Sequence, residues 1–134
     1  MAALSADRIT KSKGGSLRRQ AYPVAASTTI YAGGMVCIDA DGYAIPAADT
    51  AGISRVVGVA VAKVDNSAGA DGDLKVVVEY DGAFLFATAL TQAAVGRDAT
   101  VSDDQTLSNA ATTTNDIIVG RVLEIDGSTA WVNI

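Results

Sequence analysis

The sequence predicts a small all-β domain, and three observations lead to that prediction. Asp-Gly pairs interrupt the chain at four places, each followed within a few residues by an apolar or β-branched run. Residues 74–80 alternate between apolar and polar positions with the period of two that is typical of a half-buried strand. Of the 134 residues, the one stretch with a helical pattern is the short segment 90–95. We therefore expect a small β-barrel or β-tulip-like domain with one short helix and an extended N-terminal arm.

The Asp-Gly pairs mark the turns of the predicted domain. Asp-Gly favours a two-residue hairpin turn, because both central residues of that turn have positive φ. We expect a hairpin at each pair, and the last pair should join strands at residues 117–125 and 130–134. The pairs are Asp41-Gly42, Asp71-Gly72, Asp81-Gly82 and Asp126-Gly127.

Shorter elements fill the rest of the chain. The predicted helix could be capped by Thr91 and stopped by Gly96. Loops are expected between the strands. The loop at residues 102–116 is long for so small a domain, and such loops are often functional. Strand candidates lie at residues 22–25, 29–31, 35–39 and 43–45, and loops at residues 46–52, 65–73 and 102–116.

The strand predicted at residues 57–64 has two apolar faces, one of which is flat. A flat face of small residues lets another backbone approach closely. The strand is either central in its own domain, which we favour, or covered by a neighbouring subunit. The faces consist of Val57, Val59 and Val61 on one side and of Gly58, Ala60 and Ala62, the candidate subunit contacts, on the other.

The composition argues against several kinds of catalytic site. The chain has no histidine and a single cysteine, Cys37, which lies in an apolar run and is expected to be buried. Residues 39–50 begin like a calcium-binding loop, but glycine is fourth instead of sixth and Thr50 stands where the closing glutamate is needed. We interpret Asp103 and Asp104 as solvated loop charges. The sequence therefore predicts no metal, no cofactor and no enzymatic activity.

The charge is unevenly distributed along the chain and divides it into two parts. Residues 1–20 contain five basic residues and one acidic residue (+4), whereas residues 21–134 contain five basic and fourteen acidic residues (−9). The first part has too few apolar residues to offset its ordering entropy alone. We therefore predict an extended basic arm over residues 1–20 and a β-rich domain over residues 21–134. The arm also lacks the hydrophobic run of a secretory signal, so we expect the protein to stay in the compartment where it is made.

Three interpretations of the arm remain open. It could be a solubilising tail, or it could bind nucleic acid through its cations, although it has no aromatic residue for base stacking and the body is acidic. The third interpretation, which we favour, is a docking arm that lies on an acidic protein surface. The candidate contact residues are Arg8, Ile9, Lys11, Lys13, Leu17, Arg18 and Arg19.

The order of these features resembles the small head decoration, or capsid cement, proteins of tailed bacteriophages. None of the matching segments is a catalytic signature, and the resemblance lies in their order within a compact body rich in alanine, valine and glycine. The segments are residues 30–39 (IYAGGMVCID), 41–46 (DGYAIP), 56–60 (VVGVA), 75–84 (KVVVEYDGAF) and 119–125 (VGRVLEI).

The resemblance implies a structural protein of the virion. Proteins of that family are made in the host cytoplasm, assemble on the outer surface of the capsid, usually as homotrimers, and clamp neighbouring major capsid proteins. It also implies that a terminal arm becomes ordered on the capsid. The arm of this chain is longer and more basic than in many relatives, so its role depends on its own residues.

A second function class remains open. The protein could be a receptor-binding or glycan-binding β module on a virion or cell surface, with residues 102–116 as the contact loop. A pure cement protein needs no such ligand, so glycan binding would distinguish the two.

Overall fold

The computed structural model describes residues 2–13 and 16–134, which form an all-β protein. Within these residues the regular elements are thirteen strands and one turn of 3-10 helix, Gln92–Ala94. The strands are β1 Ser12–Lys13, β2 Arg18–Pro23, β3 Thr28–Ile30, β4 Met35–Ile38, β5 Ala44–Pro46, β6 Val56–Ala60, β7 Val64–Asn66, β8 Lys75–Tyr80, β9 Ala83–Thr88, β10 Asp98–Asp103, β11 Thr106–Ser108, β12 Ile118–Asp126 and β13 Thr129–Asn133.

Five strands close into a ring in the order β9, β11, β10, β12, β13 and back to β9. Neighbouring strands of the ring are antiparallel except for β11 and β9, which are parallel. Because β11 pairs with Ala87 and Thr88 alone, the first half of β9 would have an open edge on that side. Strand β1 pairs there, with Ser12 opposite Phe84 and Lys13 opposite Ala83.

The remaining strands form two further layers. A five-stranded antiparallel sheet has the order β2, β8, β6, β4, β5, and β3 pairs with β7 as a separate ribbon. The main core lies between the ring and the five-stranded sheet and includes Phe84, Phe86 and Met35. A second core, which includes Ile30 and Val78, covers the other face of that sheet.

The predicted all-β class is confirmed, and so are its clearest strands. In β8, Val76 and Val78 are buried while Val77 is 39% exposed, as the alternation at residues 74–80 predicts. The C-terminal hairpin forms from β12 and β13 around the turn at Gly127, which has a φ of 61°. Pairing of β13 with β9 ties this hairpin into the ring.

Two of the four Asp-Gly pairs do not form hairpins. The turn at Gly42 joins the paired strands β4 and β5, as expected. The turn at Gly72 instead joins β7 to β8, and the turn at Gly82 joins β8 to β9, and in both cases the two strands belong to different sheets. An Asp-Gly pair determines only the local turn of the backbone. The strand that follows the turn pairs with whichever sheet covers its apolar face, and this need not be the sheet of the preceding strand.

The short helix and the long loop also differ from prediction. Residues 90–95 contain one 3-10 turn, Gln92–Ala94, without buried residues, while Leu90 and Val95 on either side of it pack partly against the main core. Residues 102–116 include the end of β10 and the whole of β11, and Leu107 is 1% exposed in the main core. No helix among the described residues is long and apolar enough to cross a membrane.

The faces of the strand predicted at residues 57–64 are reassigned. Val56 and Val59 contact the main core, whereas Val57 and Ala60 contact the second core. The pairing of β4 with β6 shifts register next to Gly58, so the alternation changes phase at that residue. Val57 and Val59 therefore do not share a face.

The predicted boundary between arm and body falls inside a strand. Strand β2 begins at Arg18 and pairs with β8 along its whole length. Residue 1 and residues 14–15 of the predicted arm lie outside the described residues.

Candidate functional site: the N-terminal strap

Residues 2–13, which we call the strap, lie across the body of the protein. Near its start, the backbone amide of Leu4 donates a hydrogen bond of 2.8 Å to Asp104 Oδ1. The Gln105 side chain donates to the carbonyl oxygen of Ala2 at 2.7 Å. These contacts fix the first strap residues to the turn between β10 and β11.

The middle of the strap is bound on both sides. The Arg8 amide donates to the carbonyl of Ala32 at 2.8 Å, and the Ala32 amide donates to Asp7 Oδ1 at 2.9 Å. The Leu85 amide donates to the carbonyl of Lys11 at 2.9 Å and so continues the ladder of β1 and β9. The strap thus supplies hydrogen-bond partners to the edge of β9 that β11 leaves open.

Gly33 makes the close approach of the strap possible. A Cβ atom at this position would overlap the carbonyl oxygen of Arg8, and the φ of Gly33 is 82°. The Thr10 hydroxyl donates a hydrogen bond to the Gly33 carbonyl. At the next residue, a Cβ on Gly34 would lie 2.8 Å from Leu4 Cδ1. The strap therefore packs directly against Gly33 and Gly34, where a side chain would prevent the contact.

Arg8 is on the inner side of the strap. Its guanidinium carbon lies 5.1 Å from the centre of the Phe86 ring, and Nη2 makes a long contact of 3.4 Å with the Leu85 carbonyl. Burial lowers the pKa of Arg8, and the carboxylate of Asp104 opposes that shift. Arg8 therefore binds within its own chain, although the sequence analysis predicts that it contacts a partner.

The other predicted contact cations are paired within the chain, with one exception. The Lys13 ammonium lies 3.2 Å from Glu124 and 4.3 Å from the centre of the Trp131 ring. Lys11 is exposed and has no ion-pair partner among residues 2–13 and 16–134. The two remaining pairs are Arg18 with Asp81 at 3.2 Å and Arg19 with Glu79 at 3.4 Å. Such exposed pairs contribute about 0–1 kcal/mol each, so they can exchange for the carboxylates of a partner.

The two apolar residues among the candidate contacts of the arm are placed very differently. Leu17 is half-buried against the main core, and a Cβ on Gly82 would overlap its side chain. Ile9, in contrast, is 95% exposed. Exposure alternates along the strap, with Asp7, Ile9 and Lys11 exposed and the residues between them half-buried. No alternation of apolar and polar residues in the sequence predicts this arrangement, because the half-buried positions hold Arg8 and Thr10 while the apolar Ile9 is exposed.

The carboxylates that receive the strap are buried. Asp104 is 2% exposed and Asp103 is 8% exposed, which corrects the interpretation of both as solvated loop charges. Burial raises the pKa of Asp104, the hydrogen bond from Leu4 opposes the rise, and the charge of Asp103 adds to it. Asp103 Oδ2 has no hydrogen-bond partner in the described part of the chain. The strap therefore binds one of two adjacent desolvated carboxyl groups, that of Asp104.

The candidate subunit contacts on β6 lie mostly inside the chain. Gly58 is buried, and a Cβ there would lie 2.6 Å from the carbonyl oxygen of Glu79. Ala60 is 4% exposed in the second core. Neither residue has a surface to offer a second subunit, whereas Ala62 is exposed. The strand that approaches Gly58 closely is β8 of the same chain.

Part of the five-stranded sheet extends beyond the ring that covers it. On the side that faces the main core, Val59 of β6 is buried, but Val77 of β8 and Ala21 of β2 are exposed. Ala21 is opposite Val77, and Arg19 is opposite Glu79. We call the face formed by these four residues on β2 and β8 the overhang.

The described residues hold no group of three or more histidine, cysteine, aspartate or glutamate side chains arranged to bind a metal ion. Cys37 is fully buried, and burial raises the pKa of its thiol to about 12. This thiol is therefore uncharged at neutral pH and a poor nucleophile.

Comparisons with protein-family models, with curated proteins and with solved structures give no match to this chain.

Proposed function

We propose that this protein is a structural component of a bacteriophage virion that decorates the outer surface of the capsid and stabilises it by clamping neighbouring major capsid proteins. The proposal is supported by the resemblance of five ordered segments to capsid cement proteins and by the confirmed all-β class. We propose a protein that acts by contact, without catalysis and without a cofactor.

The observation that carries the proposal is the overhang. It presents the apolar side chains of Val77 and Ala21 to solvent and borders them with the charges of Arg19 and Glu79. Interfaces of this kind combine an apolar centre with a polar rim that sets orientation. We propose that the overhang is the surface that binds the major capsid protein, with Arg19 exchanging its own carboxylate partner, Glu79, for a carboxylate of the capsid.

Repetition makes modest contacts sufficient for this role. A decoration protein binds at many symmetry-related sites, so that a few kcal/mol at each site add up over the shell. The protein would be made in the host cytoplasm and would assemble on the virion as a homo-oligomer, with the trimer of the resembling family as the expected form. The net charge of −9 over residues 21–134 opposes binding to nucleic acid.

Two matched substitutions test the overhang. Val77 and Leu123 are aliphatic strand residues with similar exposure, 39% and 37%. They belong to different sheets, so Leu123 serves as the control for Val77. Purified chains carrying Val77→Asp or Leu123→Asp are mixed with expanded heads that lack decoration, and the bound copies are counted after sedimentation of the heads. We expect Val77→Asp to lower binding at least about tenfold, which corresponds to the loss of one buried apolar contact. Leu123→Asp should bind as the unaltered chain does.

Two results would refute parts of the proposal. Failure of the unaltered chain to bind heads would refute capsid decoration, and equal binding of both variants would refute the role of the overhang. The same protein applied to a glycan array should give no hits. Strong glycan binding would favour the receptor-binding alternative, although residues 102–103 and 106–108 of the contact loop expected at residues 102–116 belong to β10 and β11.

A further inference from the structure

Ile9 is held in an unusual position for a large apolar side chain. The strap backbone is fixed on one side by the hydrogen bond between Arg8 and Ala32 and on the other by the bond between Lys11 and Leu85. Between these two bonds, the side chain of Ile9 is 95% exposed. Single exposed apolar residues are common on protein surfaces, but Ile9 projects from a backbone that is fixed on both sides.

A pocket elsewhere on the same chain is suited to such a side chain. It has a volume of about 590 Å³ and lies between the 3-10 turn and residues 109–111. Its walls are formed by one leucine and several alanines, whose short side chains leave the space open. The apolar lining includes Leu90, Ala93, Ala94, Ala110 and Ala111.

The charges around the two features are complementary. Asp7 and Lys11 lie two residues before and after Ile9, so in an extended strap each is about 6–7 Å from it along the chain. Arg97 and Asp98 line the pocket beside its alanines. Within the described residues, neither of these two has an ion-pair partner, and neither does Lys11.

We propose that Ile9 of one copy of this chain inserts into the pocket of a second copy, with Lys11 facing Asp98 and Asp7 facing Arg97. The second copy is the favoured occupant because one sequence supplies both the projecting side chain and a recess with matching charges. The inference deepens the homo-oligomer part of the proposed function and needs no capsid.

The geometry of this contact determines the kind of assembly. The strap and the pocket share no residue, so the contact joins two different surfaces of the same chain. Such a head-to-tail contact uses one strap and one pocket per interface and closes into a ring when the rotation allows it. A trimer would be the ring of three copies. A single inserted side chain buries less area than a standard interface, so pairwise affinity should be weak and ring closure should strengthen it.

A complementation experiment tests this contact in solution. Ile9→Asp removes the inserted side chain but keeps the pocket, and Ala93→Trp fills the pocket but keeps Ile9. Sedimentation equilibrium over a concentration series should show association of the unaltered chain and a loss of at least about tenfold in affinity for each variant alone. An equimolar mixture of the two variants should form a heterodimer, because one intact strap and one intact pocket are then available. Leu74→Asp, at a side chain that is 44% exposed, is the control and should associate normally.

Disulfide trapping provides a second measurement for weak association. A chain with Ile9→Cys and a tagged chain with Ala94→Cys are mixed under air, which oxidises the two thiols to one disulfide as oxygen is reduced. We expect a cross-linked heterodimer from this pair and none from Leu74→Cys mixed with Ala94→Cys. The proposal is overturned if the unaltered chain neither associates nor is trapped, or if the mixture of Ile9→Asp and Ala93→Trp stays as dissociated as either variant. Because heads are absent from both experiments, this failure is separate from a failure of head binding.

Discussion

The backbone amide of Leu4 donates a hydrogen bond to Oδ1 of Asp104, one hundred residues later in the chain, at a distance of 2.8 Å. The acceptor is 2% exposed, so the bond lies in a desolvated site. Together with the pairing of β1 and β9, it makes the N-terminal segment part of the folded body.

Asp104 should stabilise the folded chain less as the pH rises through the acidic range. Burial in the folded chain raises the pKa of Asp104 above its ordinary value of 3.8, although the hydrogen bond from Leu4 and the charge of Arg8 oppose the rise. Because this carboxyl has the higher pKa in the folded chain, folding takes up a proton. The stabilisation is complete below the pKa of the unfolded carboxyl and is lost as the pH rises through the raised pKa. Urea denaturation over this range of pH should show the loss in the free energy of unfolding.

The control for that experiment is Asp104→Asn. The amide oxygen of asparagine still accepts a hydrogen bond from Leu4, but the side chain does not titrate. The contribution of Asp104 to the pH dependence of the free energy of unfolding should disappear in this variant. The same pH dependence in the variant would assign the effect to another group.

The loop at residues 109–116 should respond to pH with the opposite sign. Hydrogen bonds from the amides of Thr114 and Asn115, at 2.9 Å each, lower the pKa of Asp49. Stability from this group is present above the pKa of the free carboxyl and is lost as the pH falls through the lowered value. Amide hydrogen exchange at Thr114, corrected for intrinsic rates, should therefore accelerate at the acidic end of the range. Unchanged exchange at Thr114 on acidification would contradict this assignment.

Replacing Gly33 with alanine should displace the strap. Gly33 and Gly42 have φ values of 82° and 92°, so alanine is strained at both positions by about 1 kcal/mol. A Cβ at Gly33 also overlaps the Arg8 carbonyl, whereas nothing lies within 4 Å of a Cβ at Gly42. Gly33→Ala should expose the strap to limited proteolysis, and Gly42→Ala should lower the free energy of unfolding without doing so. If the strap resists proteolysis equally in both variants, close packing of the strap against Gly33 is contradicted.

Phe86 should be among the most important residues for stability. It is fully buried in the main core below Arg8, so Phe86→Ala should lower the free energy of unfolding by about 3–5 kcal/mol. Leu74→Ala, at an exposed position, should cost less than about 1 kcal/mol. Urea denaturation of both variants measures the difference, and similar costs would contradict the assigned core.

Cys37 should be unreactive in the folded protein. Its thiol is fully buried and has a pKa of about 12, so thiolate is nearly absent at pH 8. A thiol reagent should label Cys37 at the rate of global unfolding, and labelling should be fast in denaturant. Rapid labelling of the native chain would place the thiol at the surface.

Local sequence patterns predict those elements that are decided by their own residues. The alternation in β8 and the turn at Gly127 are examples, because burial on one face and a positive φ are both local requirements. The faces of β6 could not be predicted in this way, since their assignment depends on a register shift against β4. Pairing partners of the strands around Gly72 and Gly82 likewise depend on which sheet covers them.

The strap illustrates the limit for the candidate site. The composition of residues 1–20 predicts that this segment needs a partner surface, and the partner surface is the chain's own β9, Gly33 and Asp104. A low apolar content does not reveal that an open strand edge elsewhere requires hydrogen-bond donors and acceptors. The exposure of Ile9 could not be predicted either, since an alternation of apolar and polar residues would place Ile9, and not Arg8, on the buried side.

The most direct test of capsid decoration is the thermal stability of heads. Expanded heads that lack decoration are melted in a calorimeter with and without a saturating amount of the purified protein. The proposal predicts that the protein raises the melting temperature of the heads and that Val77→Asp reduces this rise while Leu123→Asp preserves it. An unchanged melting temperature at a concentration that saturates the heads would contradict a stabilising role on the capsid.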